Sequence, residues 1–209
     1  MRLFSYVVAR DYGFAPNPFG GVCTLATCKP GIRQQAGVGD WIVGMASVAN
    51  RRVPSLVYVM RVDEILNYDA YWSDARFQFK KPSRSGSVKQ LFGDNIYHRD
   101  TTGVWLQSDS HHSLEGAPNP RNITNDTKSQ GVLIGRRFAY WGSSALEVPE
   151  QFLDFGGHSI RLNRGHKSRF PAEFIQAFVD WFESLGIQGF VGPPFMWQRP
   201  QSTWARPAA

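Results

Sequence analysis

The sequence predicts an α+β protein of one domain, residues 1–209, in which a curved mixed β-sheet or small barrel is packed by a few helices. Three observations carry this. The chain is 42% apolar with 15 Phe and 7 Trp, enough to bury one sizeable core at this length. Short runs rich in β-branched and aromatic residues recur along it. One segment near the C-terminal end has clear helical spacing.

In chain order, Arg2 to Ala9 (RLFSYVVA) reads as the opening strand. The turn after it, RDYGFAPNPFGG, is stiffened by two prolines among glycines, and such rigid turns at strand ends place binding groups well. Thr27 to Ala36 is expected to be a short helix with Pro30 in its first turn, and Val38-Gly39-Asp40 a turn into the strand Trp41 to Ala46. Ser55 to Arg61 is the next strand. Asp63 then caps a helix whose stripe is Ile65, Leu66, Tyr68, Tyr71 and Trp72. Periodicity fades from Phe77 to Gly93 and returns in the strand Val132 to Tyr140. The amphipathic scaffold helix, 170–186, opens at Phe170-Pro171, repeats Phe174, Ile175, Phe178, Trp181, Phe182 and Leu185 at i, i+3 and i+4, and stops at Gly186. After Gly192 the chain is rich in Pro and Trp, and its last residues are expected to fray.

The net charge of +6, with a pI near 9.5, favours an anionic partner. Arg161, Arg164, Lys167 and Arg169 crowd one segment and are read as phosphate contacts. Lys80, Lys81, Arg84 and Lys89 form a second basic group, also expected in exposed loops. No apolar run is long enough for a signal sequence or a membrane span, so a cytoplasmic protein with no membrane partner is expected. Cys23 and Cys28 sit among apolar neighbours, and a structural, neutral thiol is set above a nucleophile for each. There is no Walker A sequence and no G-x-G-x-x-G after a strand, so no cofactor is expected.

The polar stretch 93–127 is the expected site loop. It holds three of the five histidines with many Asp and Asn residues and almost no apolar periodicity. Two chemistries suit it. As a binding module, Trp41, Tyr97 and Tyr12 would wall a base, Asn95, Asn17 and Asp11 would read its edge, and Arg10 would add charge. As an enzyme, Asp94 or Asp109 with His98 or His111 would act as an acid/base pair, helped by Arg10 or Arg99. His98, Asp100, His111 and His112 include metal-ligand types but lack a known ligand spacing, so no metal is expected.

Two resemblances sharpen this. GVGDWIVG (Gly37 to Gly44) and YVMRVDEILNYDAYW (Tyr58 to Trp72) resemble the EVE and YTH branch of PUA-like barrels, which makes 1–80 a PUA-like strand and helix half and implies a cage for a flipped base. YVVARDYGFAPNPF (Tyr6 to Phe19), CTLATCKPGIR (Cys23 to Arg33), GDWIVG (Gly39 to Gly44) and GDNIYH (Gly93 to His98) resemble the nucleotide modification associated domain family of the second type. That resemblance implies a DNA-modification or phage-defence setting and fixes no reaction. The expected function is binding of nucleic acid or nucleotides that bear a modified base. The alternatives are His/Asp acid-base chemistry on a base or glycosidic bond, and a protein-interaction module using the Phe190 to Trp197 segment.

Overall fold

The computed structural model describes residues 1–198. Among them are twelve strands and five α-helices. The first half holds β1 (Leu3–Val8), β2 (Cys23–Leu25), α1 (Pro30–Gln35), β3 (Trp41–Ala46), β4 (Ser55–Arg61), β5 (Glu64–Asn67), α2 (Tyr68–Ser73) and α3 (Val88–Leu91). The second half holds β6 (Tyr97–Arg99), β7 (Trp105–Gln107), α4 (Pro120–Asp126), β8 (Gly131–Gly135), β9 (Phe138–Tyr140), β10 (Leu146–Glu147), β11 (His166–Lys167), α5 (Ala172–Ser184) and β12 (Gly189–Phe190). The chain is thus α+β.

The main sheet is an open, mixed path, β11-β1-β3-β4-β9-β12, with β10 added on β4. β1 and β3 run parallel, which requires a crossover, and the segment carrying β2 and α1 supplies it. β3 and β4 are antiparallel, with a register shift between Gly44 and Met45. A side chain at Gly44 would meet the Tyr58 ring at 2.3 Å, so only glycine fits that crossing. One face is covered by α5: Phe174, Phe178 and Phe182 pack against Leu3, Trp41, Val43 and Val59. Trp41 meets Phe182 edge to face at 5.4 Å. The opposite face, with Phe4, Tyr6, Tyr58 and Phe138, packs on Cys23, Leu25, Ile32 and Leu133. Those residues belong to α1 and the second sheet, β2-β8-β5. β4 is apolar at nearly every position because both of its faces are buried.

Three local readings change. Glu64–Asn67 pairs with β8 as a strand, and the helix begins only at Tyr68, where the Asn67 side chain accepts from the Ala70 amide. The strand expected over Val132 to Tyr140 is two strands in different sheets, folded at Arg136 and Arg137, whose amides both donate to Asp63. The stretch 93–127 contains β6, β7 and α4, and buries Ile96 and Tyr97 completely or nearly so. The end expected to fray lies outside the described residues.

Buried polar groups fasten the turn after β1. Lys80, 1% exposed and not in an open loop, donates to Asn17 O, Asn17 Oδ1 and Val22 O at 2.8 to 2.9 Å. Burial lowers its ammonium to about 8 against the opposing charges of Asp94 and Cys23. Asp11, also buried, accepts from Tyr140 Oη, Phe195 N and Gly13 N. Met196 N donates to Asp11 O and Trp197 Nε1 to Tyr12 O, so residues 195–197 clasp the turn.

Burial raises Asp11 to about 6 despite the hydrogen bonds from Tyr140, Phe195 and Gly13. The folded state therefore holds this proton more tightly than the unfolded chain. The stability it adds is full below about pH 4 and is lost as pH rises through about 6. Denaturant unfolding of the native protein and of Asp11→Asn between pH 4 and 7 should show their stability difference changing by on the order of 3 kcal/mol. Parallel stability curves would refute this assignment.

Candidate functional site

Residues distant in sequence meet at one cavity of about 1060 Å³. Its first component is a turn at the start of α1. Cys28 and Lys29 take φ of 59° and 42°, two consecutive left-handed non-glycine residues, a conformation that costs on the order of 1–3 kcal/mol for each. Arg33 holds the turn in place: its buried guanidinium donates to Cys28 O, Asp126 O, Ser129 O and Gly131 O at 2.5 to 2.8 Å. Pro30 then starts the helix from its first turn, where no amide is needed.

The second component is α4, with Asn119 capping its N-terminus by accepting from Arg121 N and Asn122 N. Its last residue, Asp126, is 1% exposed, and both carboxylate oxygens are engaged. Oδ1 accepts from the Cys28 amide at 2.8 Å. Oδ2 accepts from Tyr97 Oη at 2.9 Å and pairs with His112 Nδ1 at 2.8 Å. His112 Nε2, at the far side of the ring, lies 3.7 Å from Cys28 Sγ. His112 O is held by Gln107 Nε2 and Asn122 Nδ2, and its ring packs on Phe14 at 4.6 Å. The result is a relay in the order carboxylate, imidazole, thiol, the arrangement by which a buried acid orients a histidine and the histidine takes the proton of a nucleophile.

Burial alone lowers the His112 imidazole, but the charge on Cys28 and the hydrogen bonds to Asp126 and Cys28 outweigh it and raise His112 to about 10. A protonated His112 thus stands beside the sulfur. The ligand atoms of Cys28, His112 and Asp126 lie within 4.8 Å of one another, so their residue types suit a metal. Their orientation does not give three ligands. Asp126 Oδ2 faces Nδ1 and the sulfur faces Nε2, on opposite sides of the ring, leaving a thiolate and one imidazole nitrogen for any ion.

The cavity lining combines aromatic rings and cations. Tyr12, Phe14 and His111 form an aromatic side, with His111 4.4 Å from the Tyr12 ring and 5.3 Å from Phe14. Arg10, Lys29, Arg121 and Lys128 line it as cations, and Asp126, already committed, is the one carboxylate among the lining residues. A smaller cavity of about 580 Å³ shares His111 with it and carries the ion pair of Arg84 with Asp109.

Of the residues singled out from sequence, Arg10, Tyr12 and His111 reach this cavity. The others have different surroundings. Asp94 is buried and accepts from Thr24 Oγ1 at 2.6 Å and Tyr71 Oη at 2.8 Å. Asp109 pairs with Arg84 and accepts from Ser113 Oγ. His98 stacks on Trp72 at 3.9 Å on another part of the molecule. Asn17 and Asn95 are wholly internal and tie backbone carbonyls. Asp11 fastens the clasp, and Trp41 is core beneath α5. Tyr97 supports Asp126 from within. Arg161, Arg164, Lys167 and Arg169 are exposed, and β11 runs beside β1 with His166 opposite the cavity residue Tyr6. Lys167 Nζ is partly spent on Ser159 O and Arg161 O.

His112 and Asp126 fall within the expected site loop, and His112 was weighed only as a metal ligand and Cys28 only as a less favoured nucleophile; Lys29 was not singled out. Cys28 is half-buried at the cavity, whereas Cys23 is fully buried. The available signal was a cysteine just before a Lys-Pro helix start, with histidines in a distant polar loop.

The family model described as nucleotide modification associated domain 2 matches residues 1–201. No curated protein and no solved structure matches the chain. Among the described residues no helix is long and apolar enough to cross a membrane.

A raised imidazole binds its proton more tightly in the folded protein. Its stabilisation is therefore full below about pH 6.5 and is lost as pH rises through about 10. Chemical denaturation from pH 6 to 10.5 should show the native protein losing on the order of a few kcal/mol relative to His112→Asn. Equal pH dependence of the two proteins would show that His112 is not held as an imidazolium.

Proposed function

We propose that this chain, which belongs to the nucleotide modification associated domain 2 family, is an enzyme that modifies a nucleotide or nucleic acid through Cys28. The observation that carries the reading is the relay of Asp126, His112 and Cys28 opening into a cavity lined by cations. A structural histidine has no need of a buried carboxylate on one nitrogen and a strained thiol on the other. A cavity with four cations and one committed acid suits a phosphate-bearing ligand, and its aromatic side offers a face for a base. The exposed cations of the β11 segment extend the positive surface beside Tyr6, where they would meet the backbone of a longer strand.

In this mechanism Cys28 Sγ attacks an electrophilic carbon of the ligand. Nε2 of His112 already carries its proton beside the sulfur, so a carbon–sulfur bond forms and the bond to the leaving group breaks as the His112 imidazolium gives that proton to it. Water or a second nucleophile then attacks the same carbon, gives its proton to His112, and displaces the sulfur as thiolate. Asp126 keeps Nε2 aimed at the sulfur throughout, and Arg33 keeps Cys28 and Asp126 in register.

The reading is tested by incubating the protein with nucleotides and with oligonucleotides carrying plain and modified bases, and measuring the masses of both protein and ligand. A product should form with the native protein, and Cys28→Ser should reduce its rate by about 10³-fold or more. His112→Ala should come close to the same loss, because the two act as one unit. Turnover unaffected by Cys28→Ser would overturn the assignment, and salt-sensitive binding with the ligand always recovered intact would establish a binding module. Loss of activity on chelation with recovery on zinc would make the cluster a metal centre.

A further inference from the structure

Attack by a thiolate on a polarised group leaves negative charge on the neighbouring atom of the substrate, and a site must supply donors for it. Backbone amides at the nucleophile usually do this. Here the Cys28 amide is spent on Asp126 Oδ1 and residue 30 is a proline with no amide hydrogen, which leaves the Lys29 amide as the backbone donor next to the sulfur. The side chain of the same residue supplies a second, charged donor. Lys29 lines the same cavity as Cys28 and sits in the left-handed conformation, as Cys28 does. Its Nζ is held 4.7 Å from the centre of the Tyr6 ring, and Tyr6 is itself fixed by a 3.0 Å hydrogen bond from Tyr58 Oη. Among the described residues no carboxylate forms an ion pair with Lys29.

We propose that the Lys29 ammonium stabilises the negative charge that develops on the substrate when Cys28 attacks, adding to the one backbone amide left beside the sulfur. The inference rests on Cys28 being the nucleophile. Holding a half-buried cation over a ring with no counter-ion costs stability, which a purely structural lysine would avoid by reaching solvent. Burial lowers the Lys29 ammonium from the ordinary lysine range, and the Cys28 charge acts in the opposite sense, so the two groups feel each other's field. The site is then built for electrophiles that gain negative charge when attacked, such as a carbonyl or ring-imine carbon.

Alkylation of Cys28 tests this without a known substrate. Rates with iodoacetate, an anion, and iodoacetamide, its neutral counterpart, are measured at pH 7 by peptide mass spectrometry. In the native protein Cys28 should react with iodoacetamide faster than the Cys23 thiol does. In Lys29→Met the ratio of iodoacetate to iodoacetamide rates should fall about tenfold, while Lys29→Arg keeps it within about threefold of native. Lys29→Gln gives the same reading should the methionine variant not fold. An unchanged ratio in the uncharged variants, with Cys28 still reactive, would overturn the role of Lys29 alone. A native Cys28 no more reactive than Cys23 would overturn the nucleophile itself, and the role of Lys29 with it.

Discussion

One buried carboxylate organises the site. Asp126 closes α4, and its two oxygens reach three separate pieces of chain: the Cys28 amide, the His112 ring and the Tyr97 hydroxyl. An acid with 1% exposure is stable there because every lone-pair direction that matters is filled and because Arg33 covers its carbonyl. Each partner depends on it in return. Without the carboxylate, the left-handed turn at Cys28 loses its amide bond, the imidazole loses its orientation, and a buried tyrosine hydroxyl loses an acceptor. A relay of this kind is therefore coupled to folding, and its members cannot be exchanged one at a time without a cost spread over all of them.

The rest of the molecule places that carboxylate. β1 and β3 run parallel, so the chain between them must cross over the sheet, and the crossover delivers Cys28 and Lys29 to the end of β1, where Arg10 and Tyr12 emerge. The hairpin of β6 and β7 brings Tyr97 beneath Asp126 and Gln107 against the His112 carbonyl. The two neighbouring histidines divide the work: His112 turns toward the carboxylate, while His111 faces the rings of Tyr12, Phe14 and Phe92 and stands between two cavities. The polar loop is thus an ordered arm bonded at both ends.

Much of the frame was legible in the sequence, because local patterns write it. The runs at Trp41–Ala46 and Ser55–Arg61 and the spacing of Phe174, Phe178 and Phe182 each report which face is buried. Glu64–Asn67 was read as helix because Ile65 and Leu66 continue into the aromatic stripe of α2, and only pairing with β8, distant in sequence, makes it a strand. The stretch 93–127 stood out from its histidines, yet not which of its residues line the cavity. His111 and His112 are indistinguishable by residue type, and the choice is made by an acid 14 residues on and a cysteine 84 residues back. Cys28 read as inert because its sequence neighbours are apolar, whereas its spatial neighbours are a histidine and a cavity. Asn17 and Asn95 read as binding groups and Asp94 as an acid or base because polar side chains look alike from sequence whether they face a ligand or tie the interior together.

The clasp of residues 195–197 on the turn after β1 also orders events in time. β1 is made before the outer strand beside it, β11, and before the amides of residues 195 and 196 that reach Asp11 and its carbonyl. A nascent chain that stops short of them already holds Cys28, His112 and Asp126 but lacks the bonds on Asp11 and Tyr12. The turn that carries Arg10 and Tyr12 to the cavity is therefore locked only once synthesis has passed residue 197.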